Sequence, residues 1–230
     1  MKNLKEVLEL HKKWLNCKKE GIRADLSNVD LSNTDLSNTD LRCANLTNAN
    51  LSYVDLSKSN LINADLSGAN LNEAKLNEAK LSGANLSCSD LSYADLSKSN
   101  LINADLSGAN LNEAKLNEAN LSNADLNESY LRKADLSNSN LRRADLSCSD
   151  LSYANLSNAD LNYTNLTKAN LNDANLNDIK YNYLSIGLNL VCPEEGSYIG
   201  YKKARTKDRE EVIIKLLITE DALRSSATTR

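Results

Sequence analysis

Between Leu26 and Leu176 the chain repeats a five-residue pattern whose leucine is never interrupted: a small residue, most often Asp or Asn, Leu, and two mostly polar residues, as in Ala64-Asp65-Leu66-Ser67-Gly68. Leucine fills the central position thirty-one times in succession. A period of five matches neither the 3.6 of an amphipathic helix nor the 2 of a half-buried strand. In an α-helix five residues turn about 500°, so successive leucines would drift by about 140° and cover every face. A chain that bends once per unit keeps every leucine inside. The pattern therefore predicts a solenoid, in which units too small to bury their own apolar face stack on one another.

Internal duplications set the number of units in one circuit. Residues 51–80 recur at 91–120 with two changes, and the ten residues from Leu86 recur from Leu146 with one. The offsets, 40 and 60, are both multiples of 20. Four units per coil explains this, because an inserted block must hold whole coils to leave the stack in register. Side-chain charge gives a second test at the same spacing. Asp55, Lys75, Asp95, Lys115 and Asp135 alternate in sign, as do Lys58, Glu78, Lys98 and Glu118. Stacked about 4.8 Å apart, such columns attract where like charges would repel.

Here the sequence resembles the pentapeptide repeat family, on the motif running from Ala24-Asp25-Leu26 to Ala174-Asn175-Leu176. The resemblance implies an all-β solenoid: a right-handed quadrilateral parallel β-helix of about eight coils, about 37 Å long at the spacing of strands. Its leucines, among them Leu26, Leu66, Leu106, Leu146 and Leu176, point inward with the small residues such as Ala64, Ala104 and Ala144. The bulkier Val29, Val54 and Ile179 fall mostly towards the ends, where the stack can relax.

An open coil exposes leucine and unpaired backbone, so each end requires a cap. Residues 3–20 predict an α-helix across the first coil: Asn3 and Glu6 form a capping box, Leu4, Val7, Leu8, His11, Trp14 and Leu15 make one apolar stripe, and Gly21 ends it. At the other end Tyr181, Tyr183, Leu184, Ile186, Leu188 and Leu190 could close the rod or form a two-fold end-to-end homodimer. Cys192-Pro193-Glu194-Glu195-Gly196 predicts a turn, Val212–Ile218 a strand, and Thr219–Leu223 the start of a helix. This small α+β tail resembles a domain of unknown function that follows pentapeptide repeats in some bacterial and phage proteins, through Cys192-Pro193, Gly196-Ser197-Tyr198, Tyr201-Lys202-Lys203 and Asp221-Ala222. The resemblance implies that the chain stops inside that domain. The expected division is a capping helix at 1–22, the β-helix at 23–187 and the tail at 188–230.

The chemistry is sparse. The single histidine, His11, lies on the apolar stripe, which favours a packed side chain over a base or ligand. No CxxC pair, phosphate-cradling glycine loop or nucleophile elbow occurs. Cys43, Cys88 and Cys148 take the outward last position of their units, too far apart along the rod to bond or gather a metal. Asp and Asn interchange before the leucine, the mark of a turn-forming side chain. No catalytic residue, cofactor or metal is expected, and the chain is expected not to be an enzyme. Five cysteines, an odd number, and a charged N-terminus fit a reduced cytoplasmic protein, and no apolar stretch suits a membrane.

Two functions compete. The first is a non-catalytic scaffold, a rigid rod presenting polar faces and its C-terminal domain to an unknown protein partner. Tyr53, Tyr93 and Tyr153 share one column and could dock it, although alternation with Glu also suits packing between coils. The second comes from the resemblance, which includes acidic rods that mimic DNA and protect type II topoisomerases such as gyrase. Asp105, Asp125 and Asp145 would serve it. Magnitude argues against mimicry. Residues 24–180 hold twelve basic and twenty-one acidic side chains, a net −9, whereas duplex DNA would carry about 22 charges over that length. Arg132-Lys133 and Arg142-Arg143 sit two units apart, on opposite sides, which argues against a nucleic-acid partner.

Overall fold

The computed structural model describes residues 3–182 and 185 together with the backbone of 198–205 and 211–218. Parallel bridges pair each residue before a central leucine with its counterpart twenty positions later. Four interleaved ladders result, starting Asp25↔Asn45, Asp30↔Asn50, Asp35↔Asp55 and Asp40↔Asn60 and continuing to Asp160↔Lys180. One circuit is therefore twenty residues, as the duplications and charge columns predict, and the units of each ladder stack into one of four sides.

The unit centred on Leu96 shows why five residues suffice. The amide of Ala94 donates to the Leu91 carbonyl at 3.1 Å, closing a turn. Asp95 donates down to Ala74 at 2.9 Å, while Leu96 and Lys98 donate up to Lys115 and Asn117 at 2.7 and 3.0 Å. The fifth amide, of Ser97, has no backbone partner and donates to Oδ1 of Asp95 at 3.0 Å. Every N–H of the unit is satisfied, which buried or half-buried backbone requires. Where Asp or Asn precedes the leucine, as it does in all but the units with Lys75, Lys80, Lys115 and Tyr130, its side chain can complete the backbone count. The turn needs φ > 0 at its third residue, the mark of a type II turn. Asn, Tyr, Lys, Glu, Cys and Arg all adopt it here, from Asn28 at 57° to Tyr163 at 65°.

Leucines from Leu36 to Leu156 are buried to within 1%, interleaved with Ala64, Ala104, Ala144 and their equivalents. Val54 is also fully buried, so the small position accepts a β-branched residue well inside the stack. Where Ser replaces Ala, as at Ser59, Ser89, Ser129 and Ser149, its hydroxyl donates to the preceding central leucine carbonyl at 2.6–2.7 Å. Leu176, expected in the core, is only half-buried, because it belongs to the topmost described units.

Helix α1 spans Leu4–Leu15, shorter than the 3–20 expected. Asn3 caps it as predicted, accepting the Glu6 amide at 2.8 Å. It ends at Cys17 and not at Gly21. Cys17 takes φ 53°, its amide donates to Trp14 at 2.9 Å and that of Lys18 to Lys13 at 2.9 Å, the paired bonds of a Schellman motif. Leu4, Val7 and Leu8 pack on the core. Trp14 does not: it is 37% exposed and stacks on His11 at 5.6 Å.

In the tail, β1 (Tyr198–Arg205) pairs antiparallel with β2 (Glu211–Ile218), Tyr198 opposite Ile218 and Arg205 opposite Glu211. Strand β2 matches the expectation for 212–218, whereas β1 was not anticipated. The turn at 192–196, the helix at 219–223 and Tyr183, Leu184 and Ile186 lie outside the described residues.

Candidate functional site

Three side chains of each unit face outward: the one before the leucine and the two after it. The first is committed to its turn. Asp25, Asp30, Asp35 and Asp40 are all held below the usual carboxylate range, Asp25 and Asp35 chiefly by the hydroxyls of Ser27 and Ser37, Asp30 by the Ser32 amide and Asp40 by the Arg42 side chain. These hydrogen bonds favour the ionised, accepting form of each carboxyl. Asp and Asn also prove less interchangeable than their alternation suggests. Nδ2 of Asn45, Asn110, Asn155 and Asn165 donates at 3.0 Å to the carboxylate one coil below, on Asp25, Asp90, Asp135 and Asp145. Asp105, Asp125 and Asp145 stand directly above one another with neither Asn nor Lys between them. They form the most acidic strip of the rod, each bound to the amide two residues on at 2.9 Å.

The charge columns pair at some of their steps. Lys75 lies 3.8 Å from Asp55, Lys58 3.8 Å from Glu78 and Lys98 3.8 Å from Glu118. All but the half-buried Asp55 are exposed, so the pairs are worth little in stability, but they offset charge along two strips of the surface.

The tyrosines cluster. Units centred on Leu31, Leu51 and onward to Leu171 build one side, and Tyr53, Tyr93, Tyr130 and Tyr153 all lie on it, each more than half exposed. Tyr53 donates its hydroxyl to Glu73 at 3.0 Å, and that bond raises its pKa. Lys133 meets Glu113 at 3.2 Å and the Arg132 guanidinium lies 5.5 Å over the Tyr153 ring. On the opposite side Arg142 and Arg143 flank Tyr163 at 5.7 and 5.6 Å. Arg132 therefore serves a tyrosine one coil above, as Arg142 and Arg143 do, while Lys133 pairs with Glu113 one coil below. The signal was in the sequence: Arg143 to Tyr163 is twenty residues apart and Arg132 to Tyr153 twenty-one.

A groove of about 660 Å³ separates α1 from the first coils, lined by Trp14, Leu15, Cys17, Lys18, Arg42, Cys43, Ile62 and Asn63. Beside it His11 is fully buried and its Nδ1 accepts the Ala24 amide at 3.0 Å. Burial lowers its pKa against the opposing pull of Asp40 and of the Arg42 backbone. The histidine is thus part of the cap. Cys17, Cys43, Cys88 and Cys148 are free thiols. Among the described residues no group of three or more His, Cys, Asp or Glu could hold a metal, and no helix is long and apolar enough to cross a membrane.

Known proteins place this geometry. Among curated proteins none matches the sequence. Residues 188–230 match a family of unknown function (DUF5758). Among solved structures, HetL, a pentapeptide repeat protein involved in heterocyst differentiation regulation from the cyanobacterium Nostoc sp. strain PCC 7120, is 31% identical over 78% of this chain and 95% of its own, with a TM-score of 0.37. QnrB1, a plasmid-mediated fluoroquinolone resistance protein, is 18% identical over 67% and 90%, with a TM-score of 0.40. A pentapeptide repeat protein of the Arabidopsis thaliana thylakoid lumen is 31% identical over 53% and 70%, with a TM-score of 0.22. Residues 22–57, 49–87, 89–127, 119–152 and 139–178 match the model for pentapeptide repeats, and the chain belongs to the pentapeptide repeat family.

Proposed function

We propose that this protein is a non-catalytic interaction rod: a right-handed quadrilateral stack of about eight coils that holds polar side chains at fixed intervals for a protein partner and carries the tail at 188–230 beside them. The observation that supports it best is the use already made of the outward groups. The Asp and Asn side chains close turns, and much of the remaining charge is paired between coils. What is left for recognition is a rigid array of tyrosines, amides and short acidic strips, with no buried pair of titratable groups of opposed character among the described residues to drive proton transfer. Affinity capture with the full chain, against a chain ending at Lys180, tests the reading. A partner retained by the full chain and lost on truncation supports it; equal retention by both would remove the tail from the function.

The Asp105, Asp125 and Asp145 strip favours a second reading, an acidic mimic of DNA bound by a type II topoisomerase. The net −9 of residues 24–180 and the Lys75 and Lys115 rungs set into the column on the opposite side weigh against it. Relief of drug-induced gyrase cleavage that fades steeply with salt would establish mimicry; no relief at low salt would eliminate it.

A further inference from the structure

The tyrosine side is complementary to its own reversed copy. Its last column runs Asn33, Tyr53, Glu73, Tyr93, Glu113, Lys133, Tyr153, Asp173, one residue per coil. Turned end over end about a two-fold axis between the units of Leu91 and Leu111, the column meets itself with Tyr93 facing Glu113, Glu73 facing Lys133, Tyr53 facing Tyr153 and Asn33 facing Asp173. The column before the leucines follows the same register: Asp90 faces Asn110, Asp150 faces Asn50 and Tyr130 faces Asn70. Across both columns no charge meets its like. The contacts required are already made within the chain, since the Tyr53 hydroxyl reaches Glu73 at 3.0 Å and Lys133 reaches Glu113 at 3.2 Å.

Neighbouring arrangements fail. Moving the axis to Leu91 sets Asp90 on Asp90 and Glu73 on Glu113, and moving it to Leu111 sets Glu113 on Glu113. The same operation on the side starting at Leu26 puts Asp65 on Asp125. Like charges brought together as the surface dries cost several kcal/mol, so charge selects this register over its half-step neighbours and disfavours the side starting at Leu26, while the sides starting at Leu36 and Leu41 also avoid like charges. The exposed aromatics agree, since among the described residues four of the five exposed tyrosines lie on this one side.

We propose that a second copy of this chain docks antiparallel along the tyrosine side, forming a lateral isologous dimer with Glu73 paired to Lys133 at two symmetric points. Eight rungs make a contact about 34 Å long and only one unit wide, which puts it among weak, reversible interfaces. This dimer uses the tyrosines that the scaffold reading offers to a partner, and it is independent of any contact at the rod's end.

Sedimentation equilibrium and small-angle scattering on the full chain, from about 10 μM to about 1 mM, test it. Mass should rise towards the dimer while the maximum dimension stays near that of the monomer. A monomer throughout, or a dimer of nearly doubled length, overturns the proposal. The charges give a sharper arm. Glu73→Lys alone faces two lysines with two lysines, and Lys133→Glu alone faces two glutamates with two glutamates, so each should weaken self-association at least about tenfold. Mixed, the two variants restore both Glu–Lys pairs and should form a heterodimer as tight as the wild-type pair to within about threefold. If the mixture stays as weak as the separate variants while both keep the wild-type circular dichroism, the antiparallel register is wrong.

Discussion

The middle of the rod and the junction beneath it are built on different terms. Around Leu96 each residue repeats the role of the residue five before it, and its five amides find partners by the same rule as those of every neighbour. At the junction of α1 with the first coil each role is filled once: His11 takes the Ala24 amide, Cys17 supplies the left-handed turn, and Gly21 lets the chain pass against Trp14. Redundancy makes the rod tolerant of surface change and intolerant of core change. The junction reverses this, because single contacts there have no second copy.

The comparison can be broken first in the core. Leu96→Ala removes a fully buried side chain from a stack that cannot collapse around the gap, and should cost about 2–5 kcal/mol by urea denaturation. At the junction, Gly21→Ala should cost about 1–3 kcal/mol, because a Cβ there would collide with the backbone of Trp14 and Lys13. That loss should appear as early release of α1, seen as Trp14 fluorescence changing before the far-ultraviolet signal of the coils.

His11 should give the junction a pH dependence that the rod lacks near neutrality. Burial lowers its pKa, so the unfolded chain binds a proton near pH 6.5 that the folded chain refuses. Stability is held above that pH and lost as pH falls through the lowered value. His11→Asn, which keeps an acceptor for Ala24, should flatten Tm across this window. The depressed Asp25, Asp30, Asp35 and Asp40 act in the same direction but only below the ordinary carboxylate range, where both variants should fall together.

Smaller effects sharpen the rod's side of the contrast. Asp95→Ala leaves the Ser97 amide without its acceptor and should cost about 0.5–1.5 kcal/mol, since water can replace part of the bond.

This contrast also sets what the sequence could tell. Leucine spacing, the twenty-residue circuit and the pairing of Asp55 with Lys75 were legible because thirty copies of one unit average out local accident. The Asn-to-Asp bonds between coils and the arginines over Tyr153 and Tyr163 were legible in principle by reading down columns, and were missed by reading along the chain. The junction was not legible in that way. Nothing in one copy of Cys17 announces a left-handed residue, and Gly21 resembles a helix terminator although its task is a close approach. The tyrosine side lay between these cases: its column was visible, but its link to Tyr130, Arg132 and the neighbouring ladder needed the stack itself.

Everything rests on residues twenty apart standing one above the other, and disulfide trapping tests this most directly. With the native cysteines replaced by serine, Lys58→Cys and Glu78→Cys should sit about 4.8 Å apart at Cα, within reach of a disulfide. Oxidised glutathione should join them quickly and leave the fold intact. Lys58→Cys with Glu73→Cys, fifteen residues apart and on the neighbouring side, should remain reduced. Rapid closure of the second pair with the first left open would contradict the twenty-residue circuit.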